Sequence, residues 1–431
     1  MQYDAIVIGA GIIGTSIVFE LAKAGRRVAC VDKLPAAGYG PTANSCAIIR
    51  THYSTFDGAL FAYEGYFYWK KWGEYLGVED ERGWAEFLET GCMVMKTESN
   101  NFLKTITGNM DRLDIPWEDW SPEKIRERLP YMDLRSYGPP KAPDDPGFGQ
   151  PVGGEMTGGV FFPCAGYISD PQLATHNVQR AAEAHGAEFL FNRRVMEIKK
   201  GERVEGVTLD DGSELSAPVV VNVAGPQSYK INQMAGVEEG MTIKTRALKQ
   251  EVVHVPAPEG VDYDGIGMVT SNSDIGCYTR PEKGNHILIG SEDPECDERL
   301  WVDPDDWDDN FTDQAITQAM RGAQRIGGLG IPGSPKGAVD LYDVSDDWIP
   351  IYDQSDLPGF YMAIGTSGNQ FKNAPVAGAM MAQLIDECEN GRDHDADPMT
   401  FHLKHIGRDM DVGFYSRKRE INEESSFSVL G

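Results

Sequence analysis

Residues 9–14 read GAGIIG and follow directly on the apolar run AIVI at residues 5–8. That run predicts a short buried strand. The next segment, GIIGTSIVFELAKAG at residues 11–25, has apolar residues at helical spacing and a glycine stop, which predicts a helix. RRVACVDK at residues 26–33 supplies a second buried strand, completing a β-α-β unit. In such a turn Gly9 permits the sharp bend, Gly11 lets a pyrophosphate approach the backbone, and Gly14 lets helix and strand pack closely. The helix N-terminus offers free N–H groups to an anion. Asp32 ends the second strand, about 20 residues on, where a carboxylate accepts ribose hydroxyls. A carboxylate there also argues against a 2′-phosphate, and so against NADP. The expected dinucleotide contacts of this unit are Gly9, Ala10, Gly11, Ile12, Ile13, Gly14, Asp32 and Lys33.

At 431 residues the chain is long enough for two domains and a sizeable core. Its 39 basic and 67 acidic residues give a net charge of −28, which disfavours nucleic acid or an anionic membrane as partner and suits solubility in a crowded or salty cytoplasm. Seven cysteines, from Cys30 to Cys388, form no C-x-x-C pair and no Cys/His cluster, so neither a disulfide framework nor a metal site is expected. A strand beginning by about residue 3 leaves no room for a signal peptide, and no run of about 18 apolar residues offers a membrane span. The expected location is cytoplasmic and reducing.

Further along, GALFAYEGYFYWKKWGEYLG (58–77) is an aromatic-rich helical pattern, and residues 137–159, rich in proline and glycine, form a long excursion or mobile loop. Residues 169–200 read as a capped helix and a strand; residues 201–225 read as a hairpin around Asp211-Gly212 followed by a buried strand. Alternating segments from about 240 to 290 predict an antiparallel sheet. Residues 303–326 return to helix, and their acid-rich start reads as a solvated helix N-terminus. The last coherent unit, residues 359–386, is strand, glycine-rich turn and long helix. Its turn, GTSGNQFKNAPVAG, places N–H groups and a helix dipole where the pyrimidine end of an isoalloxazine ring would meet them, which favours FAD over NAD.

These blocks together resemble the FAD-dependent amino acid and amine oxidoreductases of the D-amino acid oxidase group, and within it the sarcosine oxidase branch, including the β subunits of heterotetrameric sarcosine oxidases. VIGAGIIG, NSCAIIRTHY, VVVNVAGP, CYTRPEKGNHILIGS and GTSGNQFK occur in that family's order. The first is generic to flavoproteins; the Ile-Ile-Arg and Phe-Lys blocks are more specific. The resemblance implies that Arg50 and Lys372 hold a substrate carboxylate above the flavin. Two cations from distant segments would repel in a buried site unless an anion joined them, and arginine adds a bidentate fork to the point charge of lysine. Arg50 paired to an acid is the alternative. Tyr278 and Tyr342 fall where the family places tyrosines around substrate, though each is equally a core ring with a satisfied hydroxyl. The further implied cofactor contacts are Ala43, Asn44, Ser45, Val195, Ala224, Gly225, Gly365, Gly368, Asn369, Gln370, Phe371 and Lys372. His52, a lone histidine, is left out of catalysis.

Two departures from the family pattern concern covalent attachment. Where monomeric sarcosine oxidases have a flavin-bearing cysteine this chain has Asp340, and where dimethylglycine dehydrogenases have a histidine it has Asn44, so the FAD is expected to be non-covalent. A third departure concerns oxygen. The lysine that promotes electron transfer to O₂ in the monomeric sarcosine oxidases is replaced by Leu288, flanked by Ile287 and Ile289, and Lys283 lies on the turn towards water. The resemblance therefore implies a dehydrogenase that prefers a quinone, an electron-transfer flavoprotein or a dye. The expected fold is α/β: a Rossmann-like, doubly wound FAD-binding domain from residues 1–85, 160–235 and 335–431, and a substrate domain on a mainly antiparallel sheet from 86–159 and 236–334. The expected reaction is oxidation of a C–N bond in a secondary or N-methyl amino acid, by hydride transfer to flavin N5. The alternatives are a D-amino acid, a hydroxy acid or glycerol phosphate, or service as the flavin-bearing subunit of a multi-subunit dehydrogenase. Homo- or hetero-oligomers both remain open.

Overall fold

Strand Ala5–Ile8 sits inside a six-stranded sheet, with Val28–Val31 and then Glu188–Leu190 on one side, Val220–Asn222 and then Phe360–Ile364 on the other, all parallel. Ile351–Gln354 closes the latter edge antiparallel. The computed structural model describes residues 2–97, 100 and 102–429. Alternation along the strands decides what covers each face. Ala5, Val7, Val28, Cys30, Val221, Tyr361 and Ala363 point into one core, shared with helices Ile12–Lys23, Pro171–Ala184 and Ala374–Glu389. Ile6, Ile8, Ala29, Val31, Val220, Phe360, Met362 and Ile364 point into a second, closed by the antiparallel strands Val195–Lys200, Val204–Leu209 and Glu214–Ser216. A sheet covered on both faces is why its strands read as continuous apolar runs. The first and last of these helices nearly touch: a Cβ on Gly378 would stand 2.7 Å from the Ser16 oxygen.

The second sheet has nine strands, built around Thr245–Pro256, which pairs with His286–Ser291, Trp301–Val302 and Gly337–Ser345. It continues through Cys277–Glu282, Val269–Asn272, Cys92–Met95, Gly159–Phe162 and Glu118–Trp120. All its pairings are antiparallel except that of Val269–Asn272 with Cys92–Met95. Val253, Val255, Ile287 and Ile289 face helix Asp313–Arg325 and its core. The intervening positions Gln250 and Val252, with Tyr278, Ala338, Asp340 and Tyr342, face the other way and line a cavity. Strands Gly159–Phe162 and Gly337–Ser345, at the margins of the segments expected for the cofactor unit, hydrogen-bond into this second sheet.

The acid-rich residues 303–309 do not open a helix; that helix begins at Asp313, where Thr312 Oγ1 accepts the Gln314 N–H. Asp303 and Asp305 instead gather Lys230, and Asp305 also meets Lys33 and Arg194. Local charge looked like dipole compensation, but cations from three distant segments claim it. Residues 137–158 are an excursion outside the named strands and helices. Among the described residues no helix is long and apolar enough to cross a membrane.

Candidate functional site

One cavity of about 380 Å³ runs between the parallel sheet and the open face of the nine-stranded sheet, from the turn at residues 9–14 to the turn at residues 366–372. At the first end backbone crowding dictates the glycines. Gly9 has φ +112°, and a Cβ on it would stand 2.2 Å from the Val223 oxygen; on Gly14 it would stand 1.9 Å from the Gly9 oxygen. Only hydrogen fits at either place. Gly11 gives helix Ile12–Lys23 no side-chain cap, and apart from the Ile12 N–H, donated to Thr42 Oγ1 at 3.2 Å, its first turn is left to an anion. Asp32 braces the turn by accepting the Ala10 N–H (2.7 Å) and the Leu34 N–H (2.8 Å). Burial raises its pKa, and those two N–H groups hold it down.

Gly9, Gly11, Ile12, Ile13, Gly14, Asp32, Lys33, Asn44, Ser45, Val195, Ala224, Gly225, Gly368, Asn369, Gln370, Phe371 and Lys372 all line the cavity. Ala10, Ala43 and Gly365 lie just behind that lining. Ala10 is buried with its N–H held by Asp32, the Ala43 N–H goes to the Gly40 oxygen (2.9 Å), and the Gly365 N–H goes to Asp343 Oδ2 (2.6 Å). Asp343, a residue that sequence reasoning missed, is buried beneath this turn, and burial raises its pKa to about 7. The two positions that replace the flavin-bearing residues of related enzymes meet each other: Asn44 Nδ2 donates to Asp340 Oδ2 at 2.7 Å. Cys46 lies 3.4 Å from the Tyr278 hydroxyl, and burial keeps its sulfur a thiol.

Two glycines make room for the two tyrosines. A Cβ on Gly290 would stand 2.2 Å from the Tyr278 ring, and one on Gly368 would stand 2.3 Å from the Tyr342 ring. Burial raises the pKa of both hydroxyls, so each keeps its proton.

The far end collects charge. Arg50, 6% exposed, and Lys372, 3% exposed, both line the cavity, and among the described residues neither has an acidic partner. Arg50 donates to the backbone carbonyls of His52 and Val429, the latter at 2.6 Å, and stacks 4.2 Å from the Tyr53 ring centre. Lys372 Nζ donates to the Tyr53 hydroxyl (2.9 Å) and the Asn369 carbonyl (2.6 Å). Tyr53 thus joins the two cations. Burial first, and Arg50 second, push the Lys372 pKa well down. Its backbone is held from helix Phe56–Lys70: Trp69 Nε1 donates to the Lys372 carbonyl at 2.7 Å, and Gly65 admits that carbonyl where a Cβ would stand 2.8 Å away. His52 stacks on Phe162 at 4.2 Å with both ring nitrogens unpartnered, and burial holds it neutral. Glu292 also lines this end, and burial raises its pKa to about 7. Tyr53 sits inside the NSCAIIRTHY block and Trp69 inside the aromatic-rich helix, but neither pattern marks their contacts with Lys372, and Glu292 carried no signal.

Of acids and imidazoles elsewhere, Asp80, Glu81 and His176 cluster. Asp80 Oδ2 lies 2.6 Å from both His176 Nδ1 and Asn177 Nδ2, and Arg180 holds Glu81 at 2.7 Å. The cluster is an ion-pair network that ties helix Pro171–Ala184 to the loop after Trp72–Leu76.

The chain belongs to the FAD dependent oxidoreductase family DAO, whose pattern matches residues 4–384. Glycine oxidase of Geobacillus kaustophilus is 23% identical over 420 residues, covering 94% of this chain and 99% of its own. Sarcosine oxidase subunit beta of Rhodobacter capsulatus is 23% identical over 395 residues, covering 89% of this chain and 85% of its own. Among solved structures, L-proline dehydrogenase from P. horikoshii superposes with a TM-score of 0.76 at 21% identity, over 96% of this chain and 97% of that one, a likeness of fold. The cofactor is FAD. The residues fit it: the crowded glycine turn, the uncapped helix N-terminus and Asp32 suit the ADP half, and the turn at 366–372 closes the other end of the same cavity.

Two outcomes follow from this geometry. Acid precipitation is expected to give a colourless pellet and a yellow supernatant, because Asn44 and Asp340 offer no nucleophile for flavin attachment; a yellow pellet would point to Cys46 or His52 instead. Acetate affinity, followed by perturbation of the flavin absorbance, is expected to fall as pH rises. The first step lies near pH 7, where Glu292 becomes an anion facing the ligand, and the second where Lys372 loses its proton, below the ordinary lysine value of 10.5. Glu292→Gln should remove the first step and Lys372→Met the second.

Proposed function

We propose that the protein oxidises the carbon–nitrogen bond of a secondary or N-methyl amino acid. One observation carries this reading: Arg50 and Lys372 lie buried on one cavity wall, joined by Tyr53 and lacking an acid. A small carboxylate supplies the missing charge. The relatives reported above are named for glycine, sarcosine and L-proline, each an amino acid with a carboxylate beside its amine.

Bound FAD supplies the acceptor for the hydride. The chain supplies placement. The guanidinium fork of Arg50 and the ammonium of Lys372 fix the carboxylate at two points, which sets the α-carbon and its substituents and converts binding into orientation. Tyr278 and Tyr342 keep hydroxyl protons to donate, while Val252, Val269 and Ala338 line apolar wall between the polar groups. Loss of hydride leaves an iminium, which water hydrolyses to an amine and a carbonyl compound. We further propose that electrons leave to a quinone, a protein or a dye rather than to oxygen. Ile287, Leu288 and Ile289 are buried and apolar, and Lys283 is exposed near Glu86 (3.9 Å), so that strand offers no cation to stabilise superoxide as it forms. A second reading, a flavin-bearing subunit of a larger dehydrogenase, draws on the match to a protein named as a subunit; the mass of the native assembly separates the two.

Anaerobic titration with sarcosine, N,N-dimethylglycine, L-proline, glycine and D-alanine is expected to bleach the flavin bands with the secondary and N-methylated members. Bleaching by D-alanine alone would replace this reading with D-amino acid oxidation. Arg50→Ala should retain FAD while kcat/KM falls by roughly two to three orders of magnitude, because removing one partner of a buried charge pair costs about 3–5 kcal/mol. Normal turnover with loss of FAD would make Arg50 a cofactor residue. In stopped flow, substrate-reduced protein is expected to reoxidise more slowly in air-saturated buffer than with the best dye; equal rates with stoichiometric peroxide would make the protein an oxidase.

A further inference from the structure

The cationic wall has an acidic counterpart in the same cavity. Glu292 directly follows strand His286–Ser291, and its N–H donates to the Gly276 carbonyl at 2.9 Å, which pins it beside the strand that carries Tyr278. Its Oε1 accepts from Ser271 Oγ at 2.6 Å and from the Asn272 N–H at 3.1 Å. Ser273 lies alongside without closing a hydrogen bond. No side chain among the described residues bonds Oε2, and no lysine, arginine or histidine forms an ion pair with Glu292, although the residue lines the cavity.

We propose that Glu292 receives the cationic amine of the substrate across the cavity from Arg50 and Lys372, so that the site selects zwitterionic amino acids over uncharged-head carboxylates of the same shape. This rests on the carbon–nitrogen reading and adds the group that recognises nitrogen. Two buried cations lack an anion, one cavity carboxyl lacks a cation, and all three line one space. The Cys92 thiol lies in the field of all three: burial pushes it up to about 12, Glu292 adds to the rise, and Arg50 and Lys372 oppose it. A ligand with both charges satisfies both walls at once. A hydroxy acid or ether acid satisfies only one and leaves a carboxylate facing an uncharged oxygen, a penalty of the kind that makes polar sites selective.

The same carboxyl has a place in the chemistry. Hydride leaves the carbon readily only when the nitrogen lone pair is free to form the C=N bond. Transfer of one ammonium proton to Oε2 breaks an N–H bond, forms an O–H bond and frees that pair, with no other co-reactant. The remaining charged or titratable neighbours are settled. Asp274 is paired with Arg325 at 2.5 Å, His52 is held neutral, and Tyr278 keeps its proton. Asp343, the other carboxyl that burial raises to about 7, lies under the turn at residues 366–372 with Oδ2 taking the Gly365 N–H, so loss of the step near pH 7 in Glu292→Gln assigns that step to Glu292.

The test uses holoprotein pre-reduced under argon, so that no turnover occurs, and two ligands of nearly equal shape: sarcosine, which carries an ammonium, and methoxyacetate, which has an ether oxygen in its place. Isothermal titration calorimetry at pH 8 is expected to show sarcosine binding at least ten-fold tighter, with the preference growing as pH rises through about 7. Glu292→Gln should abolish the preference by weakening sarcosine while leaving methoxyacetate unchanged or tighter. A preference that persists in Glu292→Gln, an equal loss for both ligands, or a wild-type protein that does not distinguish them would each overturn the proposal while leaving the carboxylate site standing. Wild-type protein that binds neither ligand would remove the carbon–nitrogen reading, and this inference with it. Should Glu292→Gln not fold, the wild-type preference and its pH dependence decide alone.

Discussion

Two like charges held out of water on one wall set the terms for everything around them. Placing a single ion in a protein interior still costs several kcal/mol after relaxation, and a second of the same sign raises that cost. The fold meets it without an acid. Tyr53 lies between the cations, offering its ring face to Arg50 and its hydroxyl oxygen to Lys372, and backbone carbonyls from His52, Asn369 and Val429 each accept one further N–H. Neutral acceptors soften desolvation without neutralising charge. The wall therefore keeps its net positive potential in a chain whose overall charge is −28, and an incoming carboxylate meets an attraction that the rest of the molecular surface opposes.

Holding that wall accounts for architecture some distance from it. The aromatic run of helix Phe56–Lys70 is more than core filling: Trp69 bonds the Lys372 carbonyl and stacks on Phe371 at 5.4 Å, and Gly65 lets the turn come close enough for both. The nine-stranded sheet supplies the opposite wall by simple alternation. Positions 250 and 252 of strand Thr245–Pro256 look into the cavity, and positions 253 and 255 into a helix-backed core.

The parts that were legible in the sequence are those in which chemistry and local conformation coincide. The turn at residues 9–14 announces itself because strand, glycines, helix and Asp32 fall within about 25 residues, a span that local pattern can describe. Arg50 and Lys372 stood out as cations inside apolar or glycine-rich blocks. Glu292 and Asp343 did not, because nothing nearby distinguishes an acid at or beside a strand end from an ordinary one; Tyr53 lies in the same block as Arg50, but its bridging role appears only when Lys372 arrives from far along the chain. The same limit produced the misreading of residues 303–309. Their acids answer Lys33, Arg194 and Lys230, and no window along the chain contains both sides of that arrangement. Ala10, Ala43 and Gly365 stand at their motif positions with N–H groups that already have partners inside the protein, which no sequence pattern announces.

The close approach of Gly378 to Ser16 carries a consequence in time. Helix Ile12–Lys23 leaves the ribosome long before Ala374–Glu389, the helix that buries one of its flanks, and strand Ala5–Ile8 gains Val28–Val31 early but waits for Val220–Asn222 on its other side. At about 5–20 residues per second, roughly 20 to 70 s separate the emergence of the two helices. During that interval the helix can pack on its own β-α-β unit and then on Pro171–Ala184, but the flank that meets Ala374–Glu389 stays uncovered. The dinucleotide cradle at residues 9–14 is therefore made long before the segment that completes the packing behind it.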